Sequence, residues 1–193
     1  MNPEYPNVTF LPPKLYMNQK QEKTITEHIL KGHHDQYALI VEKYKTPVFN
    51  LICRMTGNYQ DAEDLAQETF VRAYESLWRF NTKKRLFPWL CAIGLNLTRN
   101  HLKKKGRDFT APNQEAIASD RDNPEELIVR QQEADRLAQC LGKLPIRLRE
   151  AVVLRYYQDL SFEEVSEILE ISLSAAKMRV YRGLEKLREL MAP

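Results

Sequence analysis

The chain has 193 residues, of which 43% are hydrophobic and 28% charged, with only six glycines; this is the profile of a helix-rich protein that buries a core, and it excludes a disordered chain. A formal net charge of +3 is too mild to make the whole surface a polyanion binder, so any nucleic-acid surface must arise from local clustering of cations. Three cysteines, Cys53, Cys91 and Cys140, are odd in number and lack close pairing, which argues against a disulfide framework or zinc site and for a reducing, cytoplasmic setting.

The length allows two small domains. Residues 1–21 carry Pro3, Pro6, Pro12 and Pro13 and are expected to form an extended N-terminal segment. No signal-peptide pattern opens the chain and no apolar run approaches a bilayer span, so direct membrane insertion is not expected. Apolar residues then recur at helical spacing through Ile25, Ile29 and Leu30, and again through Leu39, Ile40, Tyr44, Val48, Leu51, Ile52 and Met55. Strand-like alternation is absent. Pro47 predicts a kink or a restart of the second helix near Lys45. His33-His34-Asp35 is the one cluster that tempts as a metal site. Adjacent helical residues point to different faces, however, and no partner spacing or phosphate-binding glycine loop follows, so no metal, no cofactor and no catalysis are expected.

Gly57 and Asn58 end that helix, and Asn58 with Asp61 supplies the cap and first-turn acid of the next. Over roughly Asp61 to Trp78 the stripe Ala66, Phe70, Ala73 and Leu77 is expected to face the core. Asp61, Asp64, Glu68, Arg72 and Glu75 fall on the opposite side. After a loop from Arg79 to Arg85, a further helix with Leu86, Leu90, Ile93 and Leu97 as its core stripe runs to about Lys105, where Gly106 stops it. Trp89, Asn96, Asn100 and Lys103 fall along one flank of that helix. An aromatic, two amides and a cation suit an unstacked nucleic-acid strand.

Residues 107–124 lose the helical period and collect Asp, Asn, Ser, Thr and Pro, as a linker would. Beyond it, Pro124-Glu125-Glu126 starts a helix with Leu127, Ala134, Leu137 and Leu141 inward, up to Gly142. Leu144-Pro145 punctuates, and another helix is expected from Ile146 to Tyr157. Ser161-Phe-Glu-Glu164 has the capping-box form; its helix runs through Val165, Ile168 and Leu169 and breaks at Glu170-Ile171. Ser172 then caps a second helix whose buried stripe is Ala176, Val180, Leu184 and Leu187. This is a helix-turn-helix, with Glu170 where a turn glycine is often found. Its outer face presents Ser174, Met178, Tyr181 and Arg182, flanked by Lys177 and Arg179. Such side chains donate to guanine edges and phosphates or meet thymine methyls in a major groove.

The segment Asp61-Ala-Glu-Asp-Leu-Ala-Gln-Glu-Thr-Phe70, followed by Phe80, Phe87-Pro-Trp-Leu90, Ile93, Asn96 and Lys103-Lys-Lys105, resembles region 2 of the bacterial sigma-70 family, in particular its extracytoplasmic-function (ECF) members. Leu144-Pro145 through Leu187 resembles their region 4. The resemblance implies an all-α fold of two small helical domains, residues 22–106 and 125–193, joined by a flexible linker. It also implies a sigma factor that binds core RNA polymerase and directs it to specific promoters, under stress and under the control of an anti-sigma factor, often membrane-bound. By position, Asp61, Glu63, Asp64, Gln67 and Glu68 match the segment that docks on the clamp helices of the beta-prime subunit, the beta subunit being the second polymerase partner. The like-charged pair Asp64 and Glu68, four residues apart, is mildly unfavourable in an isolated helix and would be relieved by a basic partner.

The same resemblance assigns the melted -10 strand to Phe80, Lys83, Lys84, Arg85, Leu86, Trp89, Asn96, Asn100 and Lys103. The flipped-base loop departs from the family pattern at Lys83-Lys84-Arg85, where small or acidic residues are common, and at Leu86, where Phe is frequent. The duplex -35 element falls to Ser172, Ser174, Lys177, Met178, Arg179 and Arg182. The competing reading is a stand-alone helix-turn-helix regulator, which would bind a palindromic operator without polymerase.

Overall fold

The computed structural model describes residues 19–105 and 124–192, and within them every regular element is helical. Most of the expected N-terminal segment (residues 1–18), Gly106 and nearly all of the linker lie outside the described residues. The first domain holds α1 (Gln19–Leu30), α2 (Tyr37–Thr56), α3 (Tyr59–Ser76) and α4 (Leu86–Lys105). The second holds α5 (Pro124–Lys143), α6 (Ile146–Val152), α7 (Phe162–Ile168) and α8 (Leu173–Met191).

In the first domain α2, α3 and α4 pack on one another. Their shared core takes Ile40, Tyr44, Val48, Leu51, Ile52 and Met55 from α2, Ala62, Leu65, Phe70 and Ala73 from α3, and Leu86, Phe87, Leu90, Cys91 and Leu95 from α4. Each large aliphatic side chain buried this way contributes about 1.5–3 kcal/mol. Tyr44 and Phe87 stack, with ring centroids 5.4 Å apart. The start of α3 is as the sequence predicts: the Asn58 side chain accepts from the Asp61 N–H at 2.9 Å, and Gly57, at φ 70°, closes α2 in the left-handed conformation.

Four expectations are corrected. Helix α2 does not restart near Lys45 but continues through Pro47, its flanking turns pinned by the buried Tyr44, Val48 and Leu51. Leu39 and Leu30 are exposed rather than in the core. The buried side of α4 is rotated from the predicted stripe: Phe87, Cys91, Leu95 and Thr98 are buried, while Ile93 and Leu97 are only partly covered. Small Gly94 and self-bonded Thr98 concealed this face from a reading based on large apolar residues. Finally, α5 continues through Gly142 to Lys143.

In the second domain α6 lies close against α8. A Cβ on Gly183 would stand 2.4 Å from Val152 Cγ2 and 3.3 Å from the Leu148 carbonyl oxygen, so glycine permits the crossing. After Val152 the chain widens into a π-helical turn, Val153–Tyr157. The helix-turn-helix forms as expected. The Ser161 hydroxyl accepts from Glu164 N–H and the Glu164 carboxylate accepts from Ser161 N–H, and the Ser172 hydroxyl accepts from Ala175 N–H. Glu170, in the turn, has φ 53°, a left-handed conformation costing a non-glycine residue roughly 1–2 kcal/mol. Part of that cost is offset by the greater chain entropy glycine loses on folding. Glu170→Gly is therefore expected to raise stability by about 0.5–1 kcal/mol, read as a higher denaturant midpoint at constant slope. A lowered midpoint would show that the Glu170 side chain holds the turn by contacts stronger than this strain.

Candidate docking and nucleic-acid surfaces

Three surfaces carry the residues that the sequence singled out. On α3, Glu63, Asp64, Gln67 and Glu68 all face solvent, because Ala62, Leu65, Ala66, Thr69 and Phe70 turn the other side into the bundle. Glu68 pairs with Arg72 one turn on, at 3.1 Å, an exposed contact worth a few tenths of a kcal/mol. Asp61 differs from the other acids. Its carboxylate is 2.7 Å from Lys105 Nζ and 3.2 Å from His101 Nε2, both near the end of α4. The hydrogen bond from Lys105, reinforced by His101, holds its carboxyl below the usual carboxylate range. Asp61 thus ties α3 to α4 rather than presenting a free charge. The sequence reading missed that Val71, Tyr74 and Trp78 are exposed on the same side; the succession of three-to-four-residue steps running on from Glu68 was the available signal.

The second surface is the loop before α4 with that helix's outer flank. Asn81 organises the loop: its side-chain oxygen accepts from Lys83 N–H at 3.0 Å and its carbonyl from Lys84 N–H at 2.9 Å. The Gln19 side chain donates to the Lys83 carbonyl. Phe80 is buried and packs on Trp89, with centroids 5.1 Å apart. Leu86, expected both in the core stripe of its helix and on the strand surface, lies in the core, its side chain without exposure. Its N–H donates to Glu22 Oε2 at 2.6 Å, which seats the first turn of α4 in the bundle. Lys83, Asn96, Asn100 and Lys103 are exposed and Trp89 is half-buried. Lys84 and Arg85 reach carboxylates of α7, Glu167 at 2.8 Å and Glu164 at 2.7 Å.

The third surface is the outer face of α8. Ser172, Ser174, Lys177, Met178, Tyr181 and Arg182 are exposed, as Ala176, Val180, Gly183 and Leu187 take the buried face. Lys177 and Arg155 both approach the ring of Phe162, at 5.8 Å and 5.2 Å from its centroid. Arg179 is turned aside: it is half-buried in a cleft with Arg99, Arg147 and Glu150. Of the histidines weighed as metal ligands, His34 Nδ1 lies 2.8 Å from the Tyr74 hydroxyl. Among the described residues no group of three potential ligands gathers, and no helix is long and apolar enough to cross a membrane.

An acidic helix face, a cationic loop beside an amide-rich flank, and a helix-turn-helix are thus combined on one chain. Comparison with known families accounts for the combination. Residues 40–108 match the model for sigma-70 region 2, and residues 134–187 match that for sigma-70 region 4. The chain is also 35% identical over 173 residues to the ECF RNA polymerase sigma factor SigW of Bacillus subtilis, covering 84% of this chain and 92% of that one. The chain belongs to the ECF group of the sigma-70 family.

It shares 29% identity over 187 residues with the RNA polymerase sigma-H factor of Pseudomonas aeruginosa, covering 92% of this chain and 97% of the relative. Among solved structures, the fold is similar to that of CnrH in complex with the cytosolic domain of CnrY. There the TM-score is 0.67 at 23% identity, over 88% of this chain and 96% of that one. It is also similar to the sigma factor RpoE of Bartonella quintana in complex with the anti-sigma factor NepR, with a TM-score of 0.64 at 22% identity, over 80% and 96% of the two chains. As an ECF sigma factor, the protein binds core RNA polymerase and directs it to promoters. The stand-alone regulator is set aside, because region 2 accounts for the domain that reading left unexplained.

Proposed function

We propose that the three surfaces divide promoter recognition among them, within domains spanning residues 22–106 and 125–193. Glu63, Asp64, Gln67 and Glu68 dock on the basic clamp helices of the beta-prime subunit, with Asp61 acting behind them as the tie between α3 and α4. Lys83, Lys84, Arg85, Trp89, Asn96, Asn100 and Lys103 hold the melted -10 strand. Phe80 and Leu86 support that site from the core side. Ser172, Ser174, Lys177, Met178 and Arg182 meet the -35 duplex, with Arg179 at the edge of that face. The sigma factor contributes specificity and no catalysis of its own, and it works in the cytoplasm. An anti-sigma factor that covers the first two surfaces is the expected regulator, a reading supported by the solved neighbour RpoE, which is described in complex with the anti-sigma factor NepR.

The observation that carries this reading is the separation of chemistries. The exposed side of α3 gathers Glu63, Asp64 and Glu68, whereas α4 and its loop bring together amides, cations and an aromatic. The test is run-off transcription reconstituted with core polymerase. Arg182→Ala is expected to reduce -35-dependent initiation roughly tenfold, the loss of about 1–3 kcal/mol for one good base contact, while core binding measured by fluorescence anisotropy is unchanged. Loss of core binding in that variant would overturn the division of labour.

A further inference from the structure

A cleft of about 350 Å³ collects guanidinium groups from three helices. Arg99 enters it from α4, Arg147 from the first turn of α6 and Arg179 from α8; Ile146 and Leu169 supply an apolar wall, and Glu150 is the one lining carboxylate among the described residues. The volume falls within the range of small-ligand sites, roughly 300–1,000 Å³. It does not admit a nucleic-acid duplex.

The charges in the cleft do not cancel. Glu150, with a side chain only 2% accessible, gives both oxygens to Arg99, at 2.6 and 3.0 Å. Arg99 also donates to Asn96 Oδ1 at 2.9 Å, and Glu170 of the helix-turn-helix turn adds a weaker attraction on the same arginine. Arg99 and Glu150 thus balance each other. Among the described residues, neither Arg147 nor Arg179 meets a carboxylate within ion-pairing distance. Arg147 is exposed and Arg179 half-buried, so two unbalanced cations share the cleft from helices that pack on each other.

Cations held together in this way repel unless an anion lies between them. A guanidinium is a planar fork that matches phosphate oxygens two at a time. The wall of Ile146 and Leu169 keeps water from one side and strengthens such contacts. A single carboxylate or phosphate satisfies one fork, whereas two phosphates joined by one bridging oxygen satisfy two.

We propose that this cleft binds a small diphosphate, free as pyrophosphate or carried by a nucleotide, with Arg147 and Arg179 as its two grips and Arg99 as a third contact through the guanidinium N–H groups that Glu150 and Asn96 leave free. The ligand holds Arg179 turned away from the outer face of α8. Because that face is assigned to the -35 duplex, occupancy opposes duplex binding. This consequence, unlike the site itself, rests on the assignment of Arg179 to the edge of the -35 face.

The test uses the full-length protein in metal-free buffer at a constant ionic strength of about 0.15 M, where diffuse attraction is screened beyond about 8 Å. Titration calorimetry compares sodium pyrophosphate, adenosine diphosphate and sulfate. Pyrophosphate is expected to fill one site per chain with a Kd about tenfold below that of sulfate, as for two forks engaged instead of one. Arg147→Gln and Arg179→Gln should each raise that Kd about tenfold, and Arg147→Lys by less. Arg188→Gln, an exposed position farther along α8 and outside the cleft, should leave it unchanged. Arg147 has no carboxylate partner to lose, so its variants read binding without a change of fold. Tighter binding of adenosine diphosphate assigns the apolar wall to the sugar or base, and tighter binding of pyrophosphate assigns the site to the inorganic ion.

Equal affinity for sulfate and pyrophosphate, which marks an adventitious ion only, overturns the site. So does the lack of saturable binding, or an Arg147→Gln variant that binds pyrophosphate as wild type does. The consequence is read by anisotropy of a fluorescein-labelled -35 duplex. Saturating pyrophosphate should weaken duplex binding, and the duplex should weaken pyrophosphate binding by the same factor. Arg147→Gln should abolish both effects. A filled site without this competition overturns the hold on Arg179. In that event Arg179→Gln without ligand separates the two ideas: unaltered duplex affinity shows that the -35 assignment of Arg179 has failed, whereas reduced affinity upholds the assignment and shows that the coupling has failed.

Discussion

Reversing both charges at Asp64 and Glu68 to lysine is expected to abolish competition for core polymerase, lowering affinity by about 100-fold or more, while the thermal midpoint stays within about one degree of wild type. The two side chains stand one helical turn apart on the exposed side of α3, and among the described residues the only close ion pair between them and the rest of the fold is Glu68 with Arg72. Losing that pair and setting a lysine beside Arg72 costs a few tenths of a kcal/mol, while the two lysines repel each other about as the two carboxylates did, so that contribution is unchanged. Stability should therefore barely move. Binding should, because each reversal replaces an attraction to a basic surface with a repulsion, and two such changes of about 1.4 kcal/mol each already make a factor of 100. The defect should shrink as salt is raised, which a packing defect would not do. Retained affinity in the double reversal would move the polymerase contact elsewhere, and the exposed stripe Val71, Tyr74 and Trp78 would then be the surface to substitute. Asp61→Lys serves as the internal contrast. It should lower the thermal midpoint, because it breaks the tie from α3 to Lys105 and His101.

What the sequence made legible follows from what local rules encode. Helix starts were readable wherever a side chain satisfies nearby backbone, as at Asn58, Ser161 and Ser172, since the cap and its partner sit three residues apart. The exposed sides of α3 and α8 were readable because their buried stripes are made of unmistakably apolar or small residues at regular spacing. The buried side of α4 was not, because Gly94 and Thr98 occupy it and their burial depends on neighbours: a Cβ on Gly94 would meet Ile52 and Thr69 at 3.4 Å. Nor does any local pattern mark Glu22, Arg149 or Glu150 as buried. Their partners are the Leu86 N–H, the Met55 carbonyl and Arg99, which lie 51 to 94 residues away in sequence. A charged residue at a helical position reads as surface until the partner that takes it out of water is known. For the same reason the pairing of Lys84 and Arg85 with α7 lay beyond a reading that treated the two domains separately.

Glu22 shows how such a long-range contact reaches function. Its carboxylate is almost wholly buried and receives two donors at 2.6 Å, the Tyr44 hydroxyl from α2 and the N–H of Leu86, the first residue of α4. A helix's first N–H groups have no partner within the helix and favour a negative charge, so one side chain of α1 both caps α4 and fixes where the preceding loop ends. Glu22→Ala withdraws the acceptor from both buried donors. At about 1–3 kcal/mol for each donor left without its acceptor, the variant should lose about 2–6 kcal/mol, a large part of a typical domain's 5–15 kcal/mol. Glu22→Gln keeps one acceptor oxygen but turns an N–H₂ toward the other donor, and should fall between the two. The functional consequence should be selective. With the first turn of α4 loosened, Lys83 to Trp89 lose their fixed geometry, and permanganate-detected promoter opening by the reconstituted holoenzyme should drop. Binding of a -35 duplex should persist, since the helix-turn-helix is built from α7 and α8 and shares no hydrogen bond with Glu22. A loss below about 1 kcal/mol would mean that water replaces the carboxylate at both donors, and α4 would then owe its position to Leu86, Phe87 and Leu90 in the core alone.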